Sequence, residues 1–370
     1  MNLEDFYSDY GNVPQFLKDQ AQDLLKGQEF NTPKGIQRYA HMNIPFEIKK
    51  EWVDESLKLN ILMAHFKPWK NEMDSLDYPM FLKTIWPNST VHISYDKSSS
   101  YYPRVFDIKS KQVQEIEKLL PHYDVMITRS AALLNMQNRA STKDIISKTP
   151  LKFQMRSMGY DHYKHGHDFV FKDSEVGPPP SPVYRSNVKR ILKEREKEKI
   201  ILFVGSFAGW KNQGAFVDFV DPDLCKDYTF LFLGKGIKQQ ETAEKCKNKK
   251  IKYYMGCIDH ALMPYFTSIS SLNVNNTDSR AWGQPYDPNP RTLGESAVSN
   301  THSICSRLTL HSKELSDYVT SYDHECKKSL NAVLEEGLKR DTSNYNSTFI
   351  SLEEKCFSVT KIILGKMNKV

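Results

Sequence analysis

The sequence predicts an α/β protein built from two doubly wound parallel-sheet domains, and three observations carry that expectation. Short apolar runs of strand length alternate with stretches of helical spacing, the pattern of parallel sheets covered by helices on both faces. The chain is 370 residues long, and at roughly 150 residues per domain this suggests two domains. A proline cluster, Gly177-Pro178-Pro179-Pro180-Ser181-Pro182, falls near the middle. Prolines at that density neither continue a helix nor supply a central strand's donors, so the cluster is a stiff connector.

The first 57 residues contain packing side chains, Phe16, Phe46 and Trp52, without a pattern that assigns elements. Leu59–Ala64 then reads as a buried strand, Lys111–Leu120 has helical spacing, and Asp124–Thr128 and Leu151–Arg156 read as further strands. After the connector and a charged stretch the pattern is cleaner. Strands are expected at 200–205, 230–234, 251–255, 271–275 and 302–306, with helices from Gln239, near 261–266 and near 291–299. Ser351–Lys366 has near-helical apolar spacing and forms a terminal helix. The expected division is a first domain at 1–180, a second at 181–350, and a terminal helix at 351–370 able to pack back on the first. Parallel sheets bind ligands outside the carboxyl ends of their strands, and two such domains joined by a connector make a cleft.

Composition excludes several classes. A chain that is 39% hydrophobic and 12% aromatic has too many large apolar groups for disorder. No run of about 18 apolar residues exists, so no transmembrane helix is expected. The start, MNLEDFYSDY, lacks a basic segment followed by an apolar one, so no signal peptide is expected and the protein is placed in the cytoplasm. Peripheral contact with a membrane surface stays open. The net charge of +6 is local, because residues 185–199 hold seven Lys/Arg against three Glu. Such a run is read as a solvated helix or linker, and nucleic acid is not an expected partner. The cysteines Cys225, Cys246, Cys257, Cys305, Cys326 and Cys356 are not clustered, so reduced structural thiols are expected and a metal is not. Asn88-Ser89-Thr90, Asn275-Asn276-Thr277 and Asn346-Ser347-Thr348 fit the glycosylation pattern but are chance matches without a secretory signal.

Two stretches carry chemistry. In Asp287-Pro288-Asn289-Pro290-Arg291-Thr292-Leu293-Gly294-Glu295, Asn289 suits an N-cap and Pro290 the first helical position. A helix starting there offers backbone N–H groups and its positive dipole end to a phosphate. Glu295 and Asp287 are then within reach of hydroxyls on the same ligand. The same residues would also make a capped core helix with two surface acids. In Gly205-Ser206-Phe207-Ala208-Gly209-Trp210-Lys211, directly after a strand, small residues let backbone approach a ligand and Lys211 neutralises phosphate charge. The spacing is not that of a P-loop, and alone the stretch could be an ordinary strand-to-helix turn.

Together the two stretches resemble the donor-binding half of GT-B glycosyltransferases, specifically the retaining family 4 type. Gly205 and Lys211 match that family's glycine-ended strand and its lysine, although Ser206 stands where an arginine is usual. Asp287 and Glu295, with seven residues between them, match the family's acidic pair with Asp in the first place. The likeness covers about 199–310 well, including MGCIDHALMPYFTSISSLNVNN, and the first half only at LNILMAHFKPW.

The resemblance implies a GT-B fold, two Rossmann-like domains facing a cleft, and a nucleoside-diphosphate sugar bound mostly by the second domain. It implies that Glu295 holds the ribose hydroxyls and Asp287 the sugar hydroxyls. Lys211 and the 290–293 backbone (Arg291, Thr292 and Leu293 beyond Pro290) would hold the diphosphate, with Gly256, Cys257 and Ile258 near the base. Arg280 or Arg291 could stand in for the arginine replaced by Ser206. His162 is the candidate histidine facing the donor sugar from the first domain, with a surface or core role open for it. The family needs no divalent metal and no cofactor beyond the donor substrate. Lys67-Pro68-Trp69-Lys70-Asn71 replaces the glycines usual after the family's first strand, which points to an unusual acceptor or a different donor contact.

The leading expectation is a hexosyl- or pentosyltransferase acting on a glycan or other hydroxyl acceptor. The alternatives are a nucleotide-sugar epimerase of the same fold and a non-catalytic nucleotide-sugar or glycan-binding protein.

Overall fold

The apolar run Asn60–Ala64 forms strand β1, with Ile61, Leu62, Met63 and Ala64 all buried. A strand buried on both faces reads as a continuous apolar run, and this is its position in a covered parallel sheet. The computed structural model describes residues 13–25, 46–64, 76–95, 104–109, 112–128, 140–154, 168–171, 180–258, 262–278, 287–288, 290–310 and 313–368. His162, Arg280 and Asn289 lie outside the described residues. The chain divides into two compact units, one of residues 31–183 with 350–370 and the other of 1–30 with 184–349.

The first of these units holds β1, β2 (Thr90–Tyr95), β3 (Arg104–Lys109), β4 (Gln112–Ile116), β5 (Val125–Thr128), β6 (Leu151–Gln154) and β7 (Phe169–Val170). They form one sheet in the order β4-β3-β2-β1-β5-β6-β7. Pairing is parallel from β2 to β7, with Ile61 opposite Val91 on one side and Val125 on the other. The β2–β3 and β3–β4 pairs are antiparallel.

Strand β4 corrects the helix expected over Lys111–Leu120. Val113 is buried opposite Ile108, and the Arg104 Nε donates to Glu115 at 2.8 Å across the same pair. Leu119 and Leu120, which completed the helical spacing, lie beyond the strand and pack on the small cluster around Leu62 and Tyr123. Cross-strand pairing overrides a local period when the partner strand is adjacent. The helix Tyr78–Ile85, which the sequence pattern did not reveal, buries Tyr78, Met80, Phe81, Leu82 and Ile85, and only Lys83 and Thr84 interrupt its apolar run.

The terminal helix Leu352–Met367 completes this unit's core. It starts with a capping box between Ser351 and Glu354 and buries Leu352, Cys356, Val359 and Ile363 in the cluster that holds Ile61, Phe81 and Phe106. Trp52 stacks on Phe357 with ring centroids 4.6 Å apart, and the Tyr78 hydroxyl lies 3.1 Å from Thr360 Oγ1.

The second unit holds β8 (Glu198–Val204), β9 (Thr229–Leu233), β10 (Tyr253–Gly256), β11 (Ser270–Asn275), β12 (Asp287–Pro288), β13 (His302–Ser306), β14 (Thr309–Leu310) and β15 (Val319–Tyr322). Its main sheet is parallel throughout, in the order β10-β9-β8-β11-β13-β15. The chain begins in the middle at β8, adds two strands to one side, then crosses to the other. The reversal therefore lies between β8 and β11, the place where doubly wound sheets bind ligands. A cluster of aromatic rings, with Phe203 stacked on Phe232, edge-on to Phe216 and tilted against Phe230, packs within this unit's core. The charged 185–199 stretch becomes the helix Pro182–Glu194, which buries Tyr184, Asn187, Val188 and Ile191 along one side. Helix Gln15–Leu24 also belongs to this unit: Leu17 and Ala21 are buried, and Tyr265 donates to Gln20 Oε1 at 2.8 Å. Among the described residues no helix is long and apolar enough to cross a membrane.

His302, the first residue of β13, sets a pH limit on this unit. It is fully buried between the Tyr345 hydroxyl at 3.1 Å and Thr320 Oγ1 at 2.9 Å, and burial, helped by Arg340, pulls its pKa down to about 4. The unfolded chain binds that proton near pH 6.5, so the neutral form's stabilisation is complete above that pH and is lost as pH falls toward 4. Between pH 7.5 and pH 5 this one group should remove about 2 kcal/mol. Urea midpoints at those two pH values test it: His302→Gln should flatten the wild-type slope, and an unchanged slope would rule the residue out.

Candidate functional site

Each strand of the second unit's parallel sheet delivers a loop to the same edge. Strand β8 is followed at once by Gly205, whose φ of +149° is a conformation that L side chains rarely adopt. Ser206 follows, exposed, and Gly209–Lys211 makes a single tight turn. Asn212, at φ 52°, then starts the helix Gln213–Phe219. The Lys211 stem lies over Gly205, its Cδ and Cε 3.8 Å from where a Cβ would stand. Its ammonium sits 4.1 Å from the Trp210 ring centroid and 3.4 Å from Thr277 Oγ1. A cation held over an aromatic face and by a hydroxyl is aimed in advance of any ligand.

Thr277 belongs to the loop after β11, so Lys211 spans the reversal point of the sheet. That loop is buried and cross-linked. Thr277 Oγ1 donates to Asn275 Oδ1 at 2.7 Å, which leaves its oxygen to accept from Lys211. Asn276 Nδ2 donates to the Asn212 carbonyl at 2.6 Å, the Asp278 N–H donates to the Trp210 carbonyl at 2.7 Å, and the Tyr322 hydroxyl donates to Asn276 Oδ1. On the other side the Phe207 N–H donates to the Lys235 carbonyl at 3.1 Å, and the Lys238 N–H returns a bond to the Phe207 carbonyl at 3.0 Å. The Gly205–Lys211 loop is therefore held by both neighbouring loops.

Gly256 ends β10, two strands from β8, with Cys257 exposed and Ile258 half-buried beside it. Gly205, Gly234 and Gly256 lie in a row along the sheet edge, joined by Gly205 N–H to Leu233 carbonyl at 3.0 Å and Gly234 N–H to Gly256 carbonyl at 2.8 Å.

The helix Arg291–Val298 starts one residue later than the sequence suggests, with Pro290 as its cap rather than its first residue. A proline with φ −58° and ψ 131° is extended in ψ and so sits outside the helix. The Leu293 side chain is fully buried and its N–H donates to the Pro290 carbonyl at 3.0 Å, while Thr292 is half-buried. Glu295 is not a surface acid: it is 2% exposed and accepts from Arg291 Nε at 2.7 Å. A carboxylate buried to that degree needs a partner to stay charged, and Arg291, on the first turn, supplies it.

Asp287 is placed by backbone alone. It pairs with Thr309 in the short parallel ladder β12–β14, and Thr309 Oγ1 lies 3.4 Å from Asn275 Oδ1. A chain of neighbours thus runs from the Asp287 register position through Asn275 and Thr277 to Lys211. Among the described residues no group of three or more His, Cys, Asp or Glu could hold a metal ion. The sequence pattern missed Thr277, Asn276 and Gly234. For Gly234 a signal was present in the strand followed by Gly234-Lys235-Gly236, whereas Thr277 and Asn276 meet the Lys211 loop only in space.

No protein-family model matches the chain, and no curated protein matches it in sequence. Among solved structures it is similar to sucrose-phosphate synthase from Thermosynechococcus elongatus, with a TM-score of 0.55, 10% identity, and 84% of this chain and 100% of that one covered. It is similar to AviGT4, a glycosyltransferase involved in avilamycin A biosynthesis, with a TM-score of 0.56, 10% identity and coverage of 84% and 99%. It is also similar to the lipopolysaccharide outer core galactosyltransferase WaaB in its apo form, with a TM-score of 0.53, 13% identity and coverage of 84% and 100%. At such identities the likeness is one of fold, and the fold is the Rossmann-like α/β architecture of the GT-B glycosyltransferases.

Proposed function

We propose that the protein is a glycosyltransferase that moves a sugar from a nucleoside-diphosphate donor to a hydroxyl acceptor, with retention and without a divalent metal, in the manner of family 4. The observation that carries this reading is Lys211, held by Trp210 and Thr277 across the reversal point of the parallel sheet. The fold shared with glycosyltransferases supports it.

In this reading the diphosphate lies against Lys211 and the start of helix Arg291–Val298. As the bond to the sugar breaks, negative charge grows on the departing phosphate. A fixed ammonium and a helix N-terminus stabilise that charge without rearranging. Glu295 accepts hydrogen bonds from the ribose hydroxyls, Asp287 binds the sugar hydroxyls, and the Gly256–Ile258 backbone lines the base. Ser206 leaves the usual arginine contact unfilled, and Arg280 or Arg291 takes its place.

The test is a thermal-shift screen against nucleotide sugars, followed by assays of nucleoside-diphosphate release with and without acceptors. Donor-dependent release is expected, and Lys211→Ala should lower kcat/KM by roughly 100-fold, in the range seen when one preorganised charge-stabilising group is lost. Near-normal rates in all of Lys211→Ala, Arg280→Ala and Arg291→Ala would overturn the assignment. Binding without release or donor conversion would leave a non-catalytic nucleotide-sugar protein instead.

A further inference from the structure

Glu295 is served by a second set of side chains beneath its helix. Tyr184, on the buried side of helix Pro182–Glu194, places its hydroxyl 2.7 Å from Thr267 Oγ1. Thr267 Oγ1 lies 2.8 Å from Ser299 Oγ, and Ser299 Oγ donates to the Glu295 carbonyl at 2.7 Å. The Ser299 N–H turns instead to the Ser296 carbonyl at 3.0 Å. The hydroxyl of Ser299, not its amide, thus closes the last turn of the helix that carries Glu295. Tyr184, Thr267 and Ser299 are all buried, so this path excludes water.

The direction of the chain follows from donor counting. Ser299 donates to the Glu295 carbonyl and the single Thr267 proton is shared between Ser299 Oγ and the Met263 carbonyl at 2.9 Å, so Tyr184 is the donor to Thr267. Burial first, and the Glu295 charge next, hold the Tyr184 phenol far from ionising, so it remains a donor. Arg291 grips the same carboxylate from the helix's first turn and is itself about one-third exposed. Glu295 is therefore held at its side chain by Arg291 and at its backbone by the buried hydroxyl chain.

We infer that Tyr184 is a positioning residue: through Thr267 and Ser299 its buried hydroxyl sets the helical turn from which Glu295 meets the vicinal hydroxyls of a bound ribose. The inference rests on the donor-binding reading proposed above. Its consequence is specific, because loss of the phenol oxygen should cost recognition of ribose hydroxyls and not of phosphate.

Calorimetric titration with UDP, GDP and ADP identifies the best-binding probe, and its 2′-deoxy counterpart is then compared with it. Wild-type protein should prefer the ribose form by about 10-fold, the worth of one hydrogen bond to a charged group. Tyr184→Phe, which keeps the ring in place, should lose most of that preference while binding the deoxy form as the wild type does. Ser299→Ala breaks the last link alone and should reproduce the effect should Tyr184→Phe fail to fold. Equal weakening of both forms in a variant, or none, would mean the hydroxyl chain only packs the core and would overturn the inference. A wild type that binds no probe, or ignores the 2′-hydroxyl, overturns the donor-binding reading and this inference with it.

Discussion

Glu295→Gln should weaken nucleoside-diphosphate binding by roughly 100-fold or more, measured by calorimetric titration against the best of UDP, GDP and ADP. Each hydrogen bond to a charged group is worth about 1.5–3 kcal/mol, and a carboxylate facing a vicinal diol accepts two. A total of about 3–4 kcal/mol, toward the low end for two such bonds, is roughly 100- to 1,000-fold in affinity. Glutamine keeps the volume but has one acceptor oxygen, carries no charge, and presents an amide donor where an acceptor is needed. The Arg291 Nε, 2.7 Å from the carboxylate, also loses its counter-charge, but its partial exposure lets water replace it. Folding should therefore survive, with a melting temperature within a few degrees of wild type. Unchanged affinity in a folded Glu295→Gln would refute the ribose-binding role.

Gly234→Ala should destabilise the protein by about 3 kcal/mol, near the top of the range for overpacked positions. A Cβ there would stand 2.0 Å from the Gly205 carbonyl oxygen and 2.7 Å from its carbon. Both are backbone atoms, so no rotamer change relieves the clash. The φ of Gly234 is +158°, which adds strain for any L side chain. Relief requires the ends of β8 and β9 to part, and that displaces Gly205 and the loop bearing Lys211. The measured result should be a melting temperature lower by roughly 6–12 °C, together with weakened ligand binding. Gly209→Ala, four residues beyond Gly205 and with nothing within 4 Å of its added Cβ, is the matched control and should be close to neutral. Equal stability of the two variants would contradict the close approach.

Much of the second unit was legible because its strands are apolar runs bounded by glycine or polar residues. His302–Ser306 forms a strand over the same five residues that the pattern marked. Gln239 starts its helix as expected. Strand β8 begins two residues before its apolar run, at Glu198, because the ladder to Ser270 pairs backbone and is indifferent to the side chain. The first unit was harder. Its β2–β3–β4 edge is antiparallel and partly exposed, and such strands mix polar and apolar residues in ways that imitate a helical period over a few residues. Lys111–Leu120 did so, and β4 formed there once β3 was alongside to pair with it.

The sequence by itself determined the alternation of strands and helices, the glycine just after β8, the lysine that follows it, and the acidic pair around the helix at 291. These are local facts, since period and turn chemistry report on residues a few positions apart. Only the tertiary structure decided that β8 and β11 are neighbours, so that Lys211 meets Thr277 from 66 residues away. It also decided that Glu295 is buried against Arg291 rather than displayed on the surface, and that the terminal helix completes the core around β1. Strand adjacency and burial depend on which distant segments hydrogen-bond and pack together, and no period within one segment records its partner.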